Sequence, residues 1–374
     1  METIMHIYDR LRRMVANVLC VLFFAGSVFG CVGEDSAPRD ANKESSVTST
    51  HNLSSGNSRT PCKLVFIHHS VGGHWLEHGN GDLVRELNRN GIYVNDITYG
   101  WEPRQLTDSA LKRAKRKALG VLNKDRSGAY GIGDRTDIGQ MYDWFAGPDT
   151  GIIMSAVYRE NAETDRFGDH ANDRSLVPFD SEKENEIVMF KSCYPNTLFK
   201  GKPGDKPSSA SDPPRNFTAD SEQHTIANAK RTFNEVLKYF KSRPDKFFVV
   251  VTPPPRIELP ENGRIARAFA NWLHDDWLKE NSYPYNNVMV FDFYNVLTSA
   301  KSENLSDAGE ENGNHHRMWK GKEQHIVSVD RHTLAYPRKT GDNHPSPEGL
   351  QKATKEFVPL LVEKHRVWKQ GQVK

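Results

Sequence analysis

Five short runs dominated by apolar residues constrain this chain more than any other feature: Lys63 to His68, Ile92 to Thr98, Glu186 to Lys191, Lys246 to Thr252 and Val288 to Phe293. Runs of this length and composition read as strands buried on both faces, which is the pattern of a parallel sheet. Helical patterns at Asp82 to Arg89, Ser221 to Ser242, Gly263 to Glu280 and Pro347 to Lys364 separate or follow most of them. Alternating strand and helix predicts an α/β fold, a three-layer α/β/α sandwich around a five-stranded parallel sheet in the flavodoxin-like order 2-1-3-4-5. The last helix has a clear start, with Ser346 as N-cap and Pro347 at the first helical position.

Three intervals break the rhythm. The longest, about 101–185, carries GIGDRTDIG and the aromatic residues Trp101, Tyr142, Trp144, Phe145 and Tyr158, so it reads as a structured insertion or cap. Lys200 to Pro214 is rich in Pro, Gly and Ser and reads as a surface loop. Ala300 to Arg338 is polar and reads as irregular.

Before the first strand the chain has a different character. Arg10, Arg12 and Arg13 precede an apolar run from Val15 to Phe29 that is too short for a good membrane span, so residues 1–30 read as an export signal. Val28-Phe29-Gly30-Cys31 resembles the lipobox of bacterial lipoproteins, which implies lipidation of Cys31, a membrane anchor and a place in the bacterial cell envelope. Residues 31–61 are rich in Ser, Asn, Thr and charges, the composition of a disordered tether. The folded domain is expected over 62–374. Within it only Cys62 and Cys193 remain, and their positions at opposite ends of parallel strands predict two unpaired thiols rather than a disulfide.

Lys plus Arg number 50 and Asp plus Glu 48, so no net field argues for a nucleic-acid partner. The basic run Leu111 to Lys117 reads as a solvated helix face. His68, His69 and His74 form one group of imidazoles and His315 with His316 another, but neither has a recognisable ligand spacing with a third partner, so no metal and no cofactor are expected. Asp134 and Asp137 read as a turn in preference to a calcium loop.

The chemistry-bearing residues fall at strand ends. Ser70 ends LVFIHHSVGG, where the first strand gives way to a helix and a backbone N–H is available for an anion. Gly100 follows the second strand in TYGW, Asn196 follows the third in FKSCYPN, and His344 stands in GDNHPSPEG before the last helix. In a 2-1-3-4-5 sheet these positions converge at the carboxyl edge.

That set, in that order, resembles the SGNH (GDSL-like) hydrolases, and the match spans Lys63 to Val362. The resemblance implies that Ser70 is the nucleophile, His344 the general base and Asp342 the group that orients it. The oxyanion hole would then be the backbone N–H groups of Ser70 and Gly100 with the Asn196 amide. Two blocks depart from the family: His68 and His69 stand where it has Gly and Asp. Near the end, Gly341 occupies its Asp position, with Asp342 one residue closer to the histidine and Asp330 or a backbone carbonyl as alternatives. The function so implied is a serine ester hydrolase working through an acyl-enzyme on a small-molecule or carbohydrate ester, and Trp101, Tyr142 and Trp144 of the insertion read equally as sugar platforms or as core aromatics. The alternative is a non-catalytic, ligand- or carbohydrate-binding surface lipoprotein on the same fold.

Overall fold

The structure is a computed structural model that describes residues 61–103, 136–161, 171–209, 211, 215–257, 260–299, 307–327 and 331–372. Cys31, the basic run 111–117, Asp134 and Asp330 lie outside the described residues.

Five parallel strands form the sheet in the order β2-β1-β3-β4-β5, where β1 is Cys62–Ile67, β2 Ile92–Ile97, β3 Ile187–Lys191, β4 Phe247–Val251 and β5 Val288–Phe291. The predicted sheet order and strand direction are those observed. Nearly every strand residue is buried, because helices cover both faces and leave no wet side.

Alternate residues of each strand feed two cores. Val65, Ile67, Val188, Phe190, Phe248 and Val250 pack against one helical layer: α3 (Ile138–Phe145), α4 (Thr150–Tyr158), α5 (Ile226–Ser242) and α6 (Pro260–Asp275). Leu64, Phe66, Ile187, Met189, Phe247 and Val249 face the other layer: α1 (Ser70–Leu76), α2 (Leu83–Arg89) and α9 (Pro347–Gln372). The period of two along a strand produces this division.

The described part of the interval 101–185 supplies core. Met141, Trp144, Phe145, Ile153, Met154 and Val157 are all buried in α3 and α4 beside α5. Helix α6 ends at Asp275, and a short α7 (Trp277–Glu280) follows, where the hydrophobic pattern suggests one helix. The stretch 300–338, expected to be irregular, contains an antiparallel hairpin of β6 (His315–Trp319) and β7 (Lys322–Ile326), beyond α8 (Phe293–Val296). Its strands carry His, Arg, Lys, Glu and Gln in place of an apolar run, and the chain turns between them through Lys320 and Gly321, both at positive φ.

Helix α9 begins as expected, with the Ser346 side chain accepting from the Gly349 N–H at 3.4 Å. It also ties to the first strand's helix: Trp75 Nε1 donates to Thr354 Oγ1 at 2.8 Å, and that hydroxyl donates to the Gly81 carbonyl at 2.6 Å.

Candidate active site

Strand β1 ends at Ile67, and two residues later the extended His69 (φ −122°, ψ −168°) caps α1, so Ser70 is the first residue of the helix. The two imidazoles preceding it are structural in placement. His68 is buried, its Nε2 3.1 Å from Asp96 Oδ2 on the neighbouring strand and its Nδ1 3.0 Å from the His69 carbonyl. His69 stacks on Tyr99, with ring centroids 4.0 Å apart and planes 6° from parallel. The end of β1 is thereby fastened to the end of β2, which fixes the direction in which Ser70 leaves the sheet.

Ser70 Oγ lies 2.9 Å from His344 Nε2, a contact between residues 274 positions apart. On the other side of the ring His344 Nδ1 is 3.2 Å from Asp342 Oδ1, and the same oxygen accepts the His344 backbone N–H at 2.7 Å. Asp342 can only accept when ionised, so Nδ1 carries the proton and the Nε2 lone pair faces the serine hydroxyl. The one-residue separation of Asp342 and His344 is met by a tight turn: Asp342 reaches ring and backbone at once, and Gly341, at φ 73°, makes the left-handed bend that brings it round.

Burial pushes the His344 imidazole below its ordinary value; the pull of Asp342 opposes this, and His74 and Arg338 add to it. For Asp342, burial raises the carboxyl, but the bond from the His344 N–H and the imidazole's charge outweigh it and hold the group below the usual carboxylate range. A neutral imidazole beside an ionised carboxylate is the arrangement a general base requires. Three residues outside the expected catalytic set complete the surroundings, among them His74, which the sequence placed only in a group of imidazoles. The His74 and Tyr194 rings meet His344 edge-on at centroid distances of 5.3 and 5.4 Å, and Arg256 lies over Tyr194 at 5.8 Å.

The Ser70 backbone N–H points at the Tyr99 hydroxyl, 3.4 Å away. Tyr99 is the residue before Gly100, and Gly100 itself stands at φ 78° in a turn closed by Trp101 N–H to Thr98 O at 3.1 Å. A positive φ at the third position of such a turn is available to glycine at little cost. Asn196 is buried in the 3₁₀ turn Tyr194–Thr197. One of its amide N–H groups donates to Asp137 Oδ1 at 2.9 Å, and its side-chain oxygen accepts from the Ile138 N–H at 3.0 Å. The Asn196 carbonyl is 3.1 Å from Nε2 of His224, a buried imidazole that burial pushes down to about 4. Asp137, expected only to make a turn, thus holds the Asn196 amide.

Cys193 Sγ is 3.9 Å from Ser70 Oγ, and both Cys62 and Cys193 are free and buried. A cavity of about 430 Å³ lies at the opposite edge of the sheet between Cys62, Glu186, His365 and Lys369. Burial pushes the Cys62 thiol up to about 12, so it offers no nucleophile there. Tyr142 and Trp144, read equally as sugar platforms or as core, are core residues: both are buried, so their faces are closed to a ligand. The aromatic rings beside the Ser70–His344 pair are Tyr99 and Tyr194.

Comparison with family models, with curated proteins and with solved structures finds no match to this chain.

Proposed function

We propose that the protein is a serine ester hydrolase of the SGNH type that acts through an acyl-enzyme. The observation that carries this reading is the continuous chain from Ser70 Oγ to His344 Nε2 at 2.9 Å and from His344 Nδ1 to Asp342 at 3.2 Å. A serine hydroxyl is a weak nucleophile until a bonded imidazole takes its proton, and the imidazole needs a third group to hold its tautomer. All three requirements meet at the carboxyl edge of the sheet, where ligands bind in open α/β folds.

In the proposed reaction Ser70 Oγ attacks the ester carbonyl as its proton passes to His344 Nε2. The oxyanion that forms takes hydrogen bonds from the Ser70 backbone N–H, from the turn at Gly100 and from the second N–H of the Asn196 amide. Preorganised donors of this kind are worth roughly 3 kcal/mol each. The Tyr99 hydroxyl, which already accepts from the Ser70 N–H, stands where that oxyanion would bind and moves aside or donates to it. Collapse expels the alcohol, which takes the proton from His344. Water activated by the same imidazole then attacks the acyl-serine and frees the acid.

An O-acylated carbohydrate remains the substrate class we favour. Tyr99, stacked on His69 through one face, and Tyr194, with Arg256 over its ring, stand beside the dyad, and Arg256 and the hydroxyls of both tyrosines would supply hydrogen bonds suited to sugar oxygens. The lipobox-like VFGC sequence supports attachment of this enzyme to the cell envelope through Cys31.

The test is covalent labelling with a fluorophosphonate. The wild-type chain should be labelled once, at Ser70, and Ser70→Ala should not be labelled. Equal labelling of Ser70→Ala overturns the mechanism. An unlabelled wild type that is also inactive on p-nitrophenyl acetate and acetylated polysaccharide favours the non-catalytic binding protein.

A further inference from the structure

Three imidazoles and three carboxylates converge at the edge of the sheet farthest from β2, where the end of α6 meets the β6–β7 hairpin. The ring of His274 stacks on that of His325 with centroids 3.8 Å apart, and His316 lies edge-on to His274 at 4.6 Å. Side-chain exposure is 16% for His274 and 12% for His325, whereas Asp275 is 48% exposed at the mouth. Sequence spacing could not reveal this group, because His274, His316 and His325 come from a helix and two hairpin strands.

The hydrogen bonds determine which nitrogens are available. Asp292 is fully buried, and its carboxylate accepts from the Asn295 backbone N–H at 3.1 Å, from the Asn295 amide and from the Thr252 hydroxyl at 3.3 Å. His325 Nε2 lies 2.7 Å from its Oδ2 and must be the donor. The other nitrogen of His325, Nδ1, faces Asp275 Oδ1 at 3.9 Å. His274 presents Nδ1 to the same oxygen at 2.7 Å, while its Nε2 turns toward Glu323 at 3.9 Å. His316 is different. Its Nδ1 accepts the Asp292 backbone N–H at 2.9 Å, so the proton sits on Nε2 and donates to Glu323 at 3.1 Å.

We propose that His274 Nδ1, His325 Nδ1 and the Asp275 carboxylate form a binding site for a divalent transition metal of the zinc class, with a position left open to solvent. Their ligand atoms lie within 4.8 Å of one another, and a tetrahedral ion with bonds of about 2.0–2.1 Å needs them roughly 3.3 Å apart. The donor set, two imidazoles and one carboxylate, suits zinc better than calcium or magnesium, which prefer oxygen. Each imidazole is backed by a carboxylate on its far nitrogen, Asp292 behind His325 and Glu323 behind His274, the outer-shell arrangement that orients metal-binding histidines. His316 keeps its proton and serves that outer shell by bonding Glu323. The ion would clamp the hairpin to the end of α6. It would sit three strand spacings, about 14 Å, from β1 and so outside the ester chemistry.

The experiment is zinc titration of the chelator-stripped full chain, read by competition with a chromophoric chelator and by thermal melting. One zinc per chain should bind, and saturating zinc should raise Tm by about 5 °C. Asp275→Asn, an exposed change, should leave the Tm of the stripped chain unaltered while weakening zinc at least tenfold and abolishing the rise in Tm. His325→Gln should abolish binding. The proposal fails if the wild type binds no zinc at micromolar concentration. It fails equally if Asp275→Asn binds as tightly as wild type, or if Cys62→Ala removes the site, which would put the ion among Cys62, Glu186 and His365.

Discussion

One oxygen of Asp342 accepts two hydrogen bonds from His344, from the ring Nδ1 at 3.2 Å and from the backbone N–H at 2.7 Å. The loop and the imidazole are therefore oriented by a single group, and separating these roles is informative. Asp342→Asn preserves shape but can offer its NH₂ to Nδ1, which favours the wrong tautomer. We expect kcat on an acetyl ester to fall by about 100-fold or more, up to the roughly 10⁴-fold loss seen when a triad carboxylate is neutralised, and fluorophosphonate labelling to slow in proportion. Near-normal rates would assign the orienting role to another group.

The pH profile follows from the direction of the His344 shift. Burial, with His74 and Arg338, lowers this imidazole below 6.5, so the base stays unprotonated further into acid. The acid limb of kcat/KM should accordingly lie below pH 6.5. His74→Gln removes one like-charge neighbour and should move that limb upward, toward 6.5. A limb at or above 6.5 in the wild type, or one that moves down in His74→Gln, would contradict the electrostatics described.

Asn196 and Asp137 should act on the transition state alone. Asn196→Ala is expected to reduce kcat by about 100-fold with little change in KM, because its amide would meet charge that is absent from the ground state. Asp137→Ala removes the carboxylate that fixes the amide. Its loss should be smaller, about tenfold, with the same split between kcat and KM. A rise in KM with unchanged kcat in either variant would make this pair a ground-state binding element.

Lys191 ends β3 wholly buried, and its ammonium has no hydrogen-bond partner among the described residues. Burial lowers its pKa below 10.5, so the folded chain binds fewer protons here than the unfolded chain and stability rises with pH until 10.5 is reached. Lys191→Met should stabilise the protein near pH 7 by about 1–3 kcal/mol, measured by urea unfolding. The advantage should shrink as the pH approaches 10.5.

The strands were legible because burial on both faces leaves runs such as Leu64 to Ile67 and Phe247 to Val251 without polar interruption, and their boundaries fall within about two residues of those expected. Ser70 and His344 were legible because strand ends and helix starts are places where a parallel sheet gathers residues from distant parts of the chain. The hairpin was not, since His315–Trp319 and Lys322–Ile326 carry mostly polar side chains with no apolar run, and its buried His315 is satisfied by Glu356 from the distant last helix. The bond from Asn196 to Asp137 was also invisible, because it spans 59 positions and neither residue type announces a partner. The imidazole group around His274 escaped for the same reason: its members meet only once the hairpin has folded over the end of α6.

The contact between Ser70 and His344 closes a loop of 274 residues, and its second half arrives just before the last helix, whose Thr354 receives the indole N–H of Trp75 from the first. A ribosome delivers the serine early and the base almost at the end, so a growing chain can hold its fold half-built without holding a competent dyad. Hydrolysis would then begin only when synthesis has finished and α9 has docked. If the proposed chemistry holds, any product truncated before residue 344 would be inert however much of the sheet it retained, and turnover itself would be a readout of complete assembly.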